Sequence, residues 1–398
     1  DLILEMLMAG SVISKYWGVY LNDFMRLMGW NANTNLTFGS FHIDIAPIII
    51  VAFFTTLLVF GTKIGARVDG AMTVLKIAIV FFVVIVGFFY VKASNFTPFI
   101  PPSQPASTVE GSSAVTGVMT QPLWQFATGM TPSVYGVPGI LSGAALVFFA
   151  FIGFDVVATA SEETKNPHKN VPLGIGVGML LIIVMYMLVA VVTTGMVSYA
   201  DLAKQDSPSL ATAFELVGAD WAAKIISFGI VLGLATVVMV LLLGLTRIVF
   251  AMSRDGLLPR GLSKTGKHGT PAVLQIVVGT VVALVAAFFD IGVLSDMVNI
   301  GTLLAFTLVA ISIPIMRKKR PDLPRAFKMP GSPWIPILIA VANFWLMLNL
   351  SVLTWIRFVV WLVVGFAIYF GYGYWHARLG KGDLTETLSA ETDKAVNG

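Results

Sequence analysis

Phe148-Phe-Ala-Phe-Ile-Gly153-Phe-Asp155-Val-Val-Ala-Thr159 sets a glycine and a carboxylate inside an otherwise apolar run over residues 139–161. A run of that length matches a membrane span, which needs ~20 apolar residues as a helix. Backbone freed by a break at membrane depth is tolerated only where it is buried in protein or lines a cavity. The stretch therefore reads as a membrane helix interrupted at Gly153, whose freed carbonyls and amides can bind an ammonium or a carboxylate. The competing reading is a packing glycine, common in membrane helices, with Asp155 satisfied by a neighbouring helix.

Nine more apolar segments surround it, over 2–22, 44–61, 69–92, 172–197, 225–251, 271–289, 293–315, 335–353 and 356–376. Apolar residues make up 57% of the 398 and charged residues only 12%, with a mean hydropathy of +0.87. So few charges, about half the usual share, cannot cover a soluble surface of this size. The apolarity is continuous rather than alternating over ~10 residues, which favours helices over barrel strands. These features predict an all-α polytopic membrane protein and exclude cytosolic enzymes and secreted disulfide scaffolds. The net charge of +4 resides between apolar segments, so it implies no nucleic-acid partner. With no cysteine, thiolate metal sites and catalytic thiols are excluded. The chain carries no G-x-x-x-x-G-K-[ST], H-E-x-x-H or G-x-S-x-G pattern, so neither ATP-driven nor enzymatic chemistry is expected, and no cofactor.

Residues 1–376 are expected to form one transmembrane domain, with a long extracellular loop over 94–138 and a polar cytoplasmic tail over 377–398. Within that loop, Leu123-Trp-Gln-Phe-Ala is expected to lie on the membrane surface. If the helices alternate, 17 of the 25 basic residues share one side, among them Lys63, Lys169, Arg254, Arg317 and Arg378. Five take the other side, and Lys15, Lys76 and Arg247 fall inside apolar segments. The rule that basic loops stay inside places the first group, and the C-terminus, in the cytoplasm. Lys15 is expected to extend along its helix toward the outer surface.

Three further blocks carry a resemblance. Ser161-Glu-Glu-Thr-Lys-Asn-Pro-His-Lys-Asn-Val-Pro172 follows the broken segment. Gly244-Leu-Thr-Arg-Ile-Val-Phe-Ala-Met-Ser-Arg-Asp-Gly-Leu-Leu-Pro259 and Arg320-Pro-Asp-Leu-Pro-Arg-Ala-Phe-Lys-Met-Pro330 come later, in the same order. Together they resemble the amino acid–polyamine–organocation superfamily, in its bacterial cationic-amino-acid-transporter-like branch. The resemblance covers essentially the whole chain. It implies a LeuT-like inverted-repeat (5+5) fold plus two C-terminal helices. Asp1-Leu-Ile-Leu-Glu5 and Trp17-Gly-Val-Tyr20 are similar to the family's third helix, so the ten segments correspond to helices three to twelve. The first two helices would precede this sequence, and with them the Gly-rich break that holds the substrate carboxylate in the family.

Carried onto this sequence, the resemblance gives the backbone around Phe149, Ala150, Ile152 and Gly153 the substrate's α-ammonium and makes Phe149 an outer aromatic gate. Asp155 matches an acidic position linked to gating or side-chain selection. Glu5 neighbours a cavity-facing position on the third helix, against the plainer reading of a helix-end carboxylate near water. Met239 lies where the eighth helix faces the substrate side chain, although a methionine there is also ordinary packing. Asn299 and Thr302 are polar candidates for the cavity wall on the tenth helix. Gly229 and Gly233, four apart, read as close helix packing. Lys76 either extends partway along lipid to the headgroups or, as the resemblance implies, replaces the sodium ion of sodium-linked relatives and couples transport to protons.

The expected function is secondary active import of amino acids at the plasma membrane by proton symport and alternating access. The proton gradient is the driving force. The partners are the amino acid and the lipid bilayer, with a small single-span membrane subunit as a further candidate. An amino acid or polyamine antiporter is the same-class alternative, and a non-transporting membrane amino-acid sensor is the different-class one.

Overall fold

A computed structural model describes residues 2–30, 34–38, 41–60, 65–108, 117–153, 166–205, 208–264, 270–322, 329 and 331–376. Each of the ten apolar segments yields a helix. They are α1 (Leu2–Leu27), α2 (Ile45–Phe60), α3 (Gly65–Phe88), α4 (Gly136–Val147), α5 (Pro167–Met196), α6 (Asp220–Arg254), α7 (Ala272–Phe288), α8 (Ile291–Lys319), α9 (Trp334–Leu348) and α10 (Val352–Ile368). Among the described residues six helical stretches are long and apolar enough to cross a membrane, and four apolar helices are shorter. The chain is an all-α polytopic membrane protein.

Helix ends follow local chemistry. Proline suits the first turn of a helix because its missing N–H has no intrahelical role there. Pro167 accordingly opens α5, five residues before the apolar run begins. Ser351 caps α10 by accepting from the Thr354 N–H. A β-hairpin, Asn35–Phe38 paired with Phe41–Asp44, turns the chain from α1 into α2.

Helix α1 is the centre of the bundle, packing most extensively on α6 and also on α8, α7 and α2. Its buried residues include Leu4, Met6, Ala9, Gly10, Val12 and Gly18. With Val51 and Leu58 of α2, Leu242 and Leu245 of α6 and Val282 of α7, Met6 and Ala9 form the main core. A second cluster joins α3, α5 and the start of α6 around Phe214. Its short helix Leu210–Leu216 is capped by Ser209, which accepts from the Thr212 N–H. A third cluster, Ala145, Ile300, Leu303, Met347 and Phe358, binds α4 to α8, α9 and α10. Many large apolar side chains of α3 and α5 face outward, including Phe81, Ile85, Leu180 and Met187. Water would penalise each such side chain by ~1.5–3 kcal/mol relative to burial, whereas lipid imposes no such cost.

One expectation changes. Lys15 does not run to the outer surface; its side chain is 9% exposed and ion-paired with Asp44, and its Nζ also donates to the Ala286 carbonyl at 3.0 Å. A buried ammonium costs several kcal/mol unless paired, and the carboxylate at the end of the hairpin supplies the pair. The helix Leu123–Thr128 is held by protein as well. Trp124 Nε1 donates to Asn349 Oδ1 at 2.9 Å, and the Leu123 N–H donates to the Leu350 carbonyl at 3.0 Å. The 94–138 connector is thereby tied to the turn between α9 and α10. The expected cytoplasmic tail, 377–398, lies outside the described residues.

Candidate functional site

Helix α4 stops at Val147, although the apolar run continues. The chain tightens into a 3-10 turn over Phe148–Phe151, Ile152 becomes extended (φ −69, ψ 141), and Gly153 turns to φ +116. Only glycine adopts that φ without a Cβ penalty. Among the described residues, no atom outside its immediate neighbours lies within 4 Å of the place a Cβ would take, so it is the backbone angle that calls for glycine.

Such a break leaves carbonyls without their helical donors, and each must find another partner at membrane depth. Two side chains from other helices supply them. Asn299 Nδ2 on α8 donates to the Leu146 carbonyl at 3.0 Å. The Tyr186 hydroxyl on α5 donates to the Ala150 carbonyl at 2.7 Å. The Tyr186 ring also meets Phe151 edge to face, with centroids 5.3 Å apart. The Ile152 N–H completes the turn by donating to the Phe149 carbonyl at 3.1 Å. A break braced from two sides holds its geometry instead of fraying.

The other described candidate residues lie on the turn itself and on α1, α6 and α8. Phe149 and Ile152 pack against the main core, the cluster to which the buried Met239 belongs. Glu5 is 1% exposed on α1. Asn299 and Thr302 are fully buried on α8. Thr302 spends its hydroxyl hydrogen on the Val298 carbonyl one turn back. Asn299 Oδ1 is buried and, among the described residues, accepts no hydrogen bond. An unmet buried acceptor costs ~1–3 kcal/mol, which a ligand donor such as an ammonium would relieve. Asp155 lies outside the described residues.

Lys76 sits apart, on the face of α3 that meets α6. Because α3 begins at Gly65, the lysine is ~16 Å along the helix. Its aliphatic stem runs past Gly233. A Cβ built on that glycine would lie 3.2 Å from Lys76 Cγ, 3.6 Å from Cε and 3.8 Å from Cδ. One turn earlier on α6, a Cβ on Gly229 would overlap Ile79.

Tyr186 was not among the residues singled out from sequence. Its signal was there: an aromatic with one polar tip inside Leu180-Leu-Ile-Ile-Val-Met-Tyr186, where a hydroxyl amid apolar neighbours needs a partner.

A polytopic helix bundle with one helix broken at membrane depth, and the freed carbonyls met by other helices, has the architecture of secondary transporters. The chain belongs to the amino acid permease family, which matches it over residues 6–373. Among its relatives is the branched-chain amino acid permease BcaP of Bacillus subtilis, 40% identical over 389 residues, covering 96% of this chain and 76% of the relative. The methylthioribose transporter of the same organism is 36% identical over 387 residues, again 96% and 76% of the two chains. The vacuolar cationic amino acid transporter 4 of Arabidopsis thaliana is 32% identical over 326 residues, 81% of this chain and 50% of the relative.

Proposed function

We propose that the protein is a secondary transporter that imports amino acids across the plasma membrane by proton symport, through alternating access at the break in α4. The observation that carries this reading is the interruption at Ile152–Gly153 inside an apolar run. Freed backbone at that depth offers carbonyls to an α-ammonium, and the unmet Oδ1 of Asn299 adds an acceptor nearby. Phe149, Ile152 and Met239 are the apolar wall against which the substrate side chain rests. Such a wall suits an aliphatic side chain, in keeping with the name of the Bacillus subtilis relative, a branched-chain amino acid permease. The basic-residue bias puts the α2–α3 loop, the α8–α9 loop and the C-terminus in the cytoplasm. Movement consists of the elements around the break rocking against the α1–α2 scaffold, which the Lys15–Asp44 pair fastens.

Lys76 is the coupling group. A lysine ammonium can take the place of a metal cation among carbonyl dipoles and leave by losing its proton, which a sodium ion cannot do.

The test is counterflow in proteoliposomes containing the full-length protein, with a panel of labelled amino acids plus methylthioribose. Saturable exchange of aliphatic amino acids is the expected result. Exchange of methylthioribose alone would redirect the substrate reading to the second relative, and ligand-dependent stabilisation without any exchange would make the protein a sensor.

A further inference from the structure

We propose that Gly233 is a positioning residue for proton coupling: its missing side chain forms the groove that fixes the Lys76 stem and so places the ammonium. The inference rests on Lys76 being the coupling group.

The two glycines of α6 face α3 in antiparallel register, Gly229 against Ile79 and Gly233 against Lys76. A spacing of four on one helix meets a spacing of three on the other, the ridge-and-groove match expected of closely packed helices. The two contacts differ in kind. At Gly229 the groove receives a branched apolar side chain, which is ordinary close packing. At Gly233 it receives three methylenes of a lysine, which could otherwise sample many rotamers. A trench that holds Cγ, Cδ and Cε beside one α-carbon selects an extended stem and a defined ammonium position.

A methyl group at Gly233 would sit 3.2 Å from Lys76 Cγ, so the stem must give by a few tenths of an ångström. The displacement enters near the root of the side chain, so it is carried to the ammonium at its tip. The titratable groups on α6 and α5, the helices packed most on α3, are few among the described residues. On α6 these are Asp220, Lys224, Arg247 and Arg254; the nearest, Lys224, is nine residues from Gly233, ~13 Å along the axis. On α5, among the described side chains, they are Lys169, in the first turn, and Tyr186, whose hydroxyl is bonded to Ala150. Thr236, three residues on from Gly233 on α6, donates to the Gly233 carbonyl at 2.9 Å.

The experiment measures uptake against pH in proteoliposomes of the full-length protein, for wild type, Gly233→Ala, Gly229→Ala and Lys76→Ala. Counterflow exchange is recorded alongside. Gly233→Ala should displace the pH of half-maximal uptake by about half a unit or more, equivalent to roughly threefold in protonation ratio, while exchange stays within about twofold. Gly229→Ala, despite its larger overlap, should keep the wild-type profile. A wild-type profile in Gly233→Ala, or an equal displacement in Gly229→Ala, overturns the proposal. Proton-driven accumulation by Lys76→Ala overturns instead the coupling role on which it rests. If Gly233→Ala does not reach the membrane, the Gly233→Ala/Lys76→Ala double variant decides: recovered expression and exchange support the contact, and no recovery makes Gly233 a packing residue.

Discussion

The Tyr186 hydroxyl and the Ala150 carbonyl, 36 residues apart, meet at 2.7 Å where α4 comes apart. The bond supplies a donor to a carbonyl that the helix has released, and it fixes the break from the side of α5. Tyr186→Phe keeps the ring contact with Phe151 and removes only this donor. A neutral hydrogen bond is worth ~1 kcal/mol net, so substrate exchange should fall about fivefold, with little change in melting temperature. Exchange at the wild-type rate would show that the break is held without it.

The Lys15–Asp44 pair predicts a stability effect. Removing one partner leaves a charge with little access to water, so Lys15→Met should destabilise the protein by ~2–4 kcal/mol, somewhat below the range for fully buried pairs because Asp44 is 25% exposed. Adding Asp44→Asn removes the stranded charge and should restore most of the loss. Thermal unfolding of the single and double variants in detergent measures both. A double variant no better than Lys15→Met would mean that the lysine acts through packing alone.

Met239 is 7% exposed in the core cluster on which Phe149 and Ile152 pack. Shortening it in Met239→Ser should admit bulkier side chains while small substrates continue to exchange. An apolar pocket discriminates by ~1–3 kcal/mol per methylene, so the selectivity change should be tens-fold. Competition by a graded series of amino acids reads this directly, and an unchanged series would assign Met239 to packing.

The absence of native cysteine makes the topology testable by single cysteines. At Lys169 and Arg317, which the basic-residue bias places in the cytoplasm, they should resist impermeant thiol reagents in right-side-out vesicles. Rapid labelling from outside would invert the orientation.

Most of the helical architecture was legible in the sequence because continuous apolarity in lipid leaves few options. The break in α4 was legible too, since Gly153 stands beside Asp155 in a run with no other reason for polarity. Boundaries were less so: α5 reaches back to Pro167 because proline opens helices, and α1 continues to Leu27 past its apolar stretch. What could not be read were partners distant along the chain. Lys15 resembled a lysine bound for the headgroups because its carboxylate lies 29 residues on, at the end of a hairpin. Asn299 stood out as a polar residue on an apolar helix, yet its bond to Leu146 depends on how α8 lies against α4. Gly233 read as a packing glycine, and only the packed helices show a lysine stem in its groove.

Proton-driven accumulation through Lys76 is the central claim, and uptake of an exchanged amino acid into sodium-free proteoliposomes of the full-length protein, under an imposed inward proton gradient, tests it most directly. Wild type should accumulate substrate above equilibrium without sodium. Lys76→Ala should equilibrate substrate without accumulating it, and Lys76→Arg, which holds its charge, should be locked in one protonation state. Accumulation by Lys76→Ala at the wild-type rate would contradict the claim and leave the Lys76 stem beside Gly233 as a packing contact.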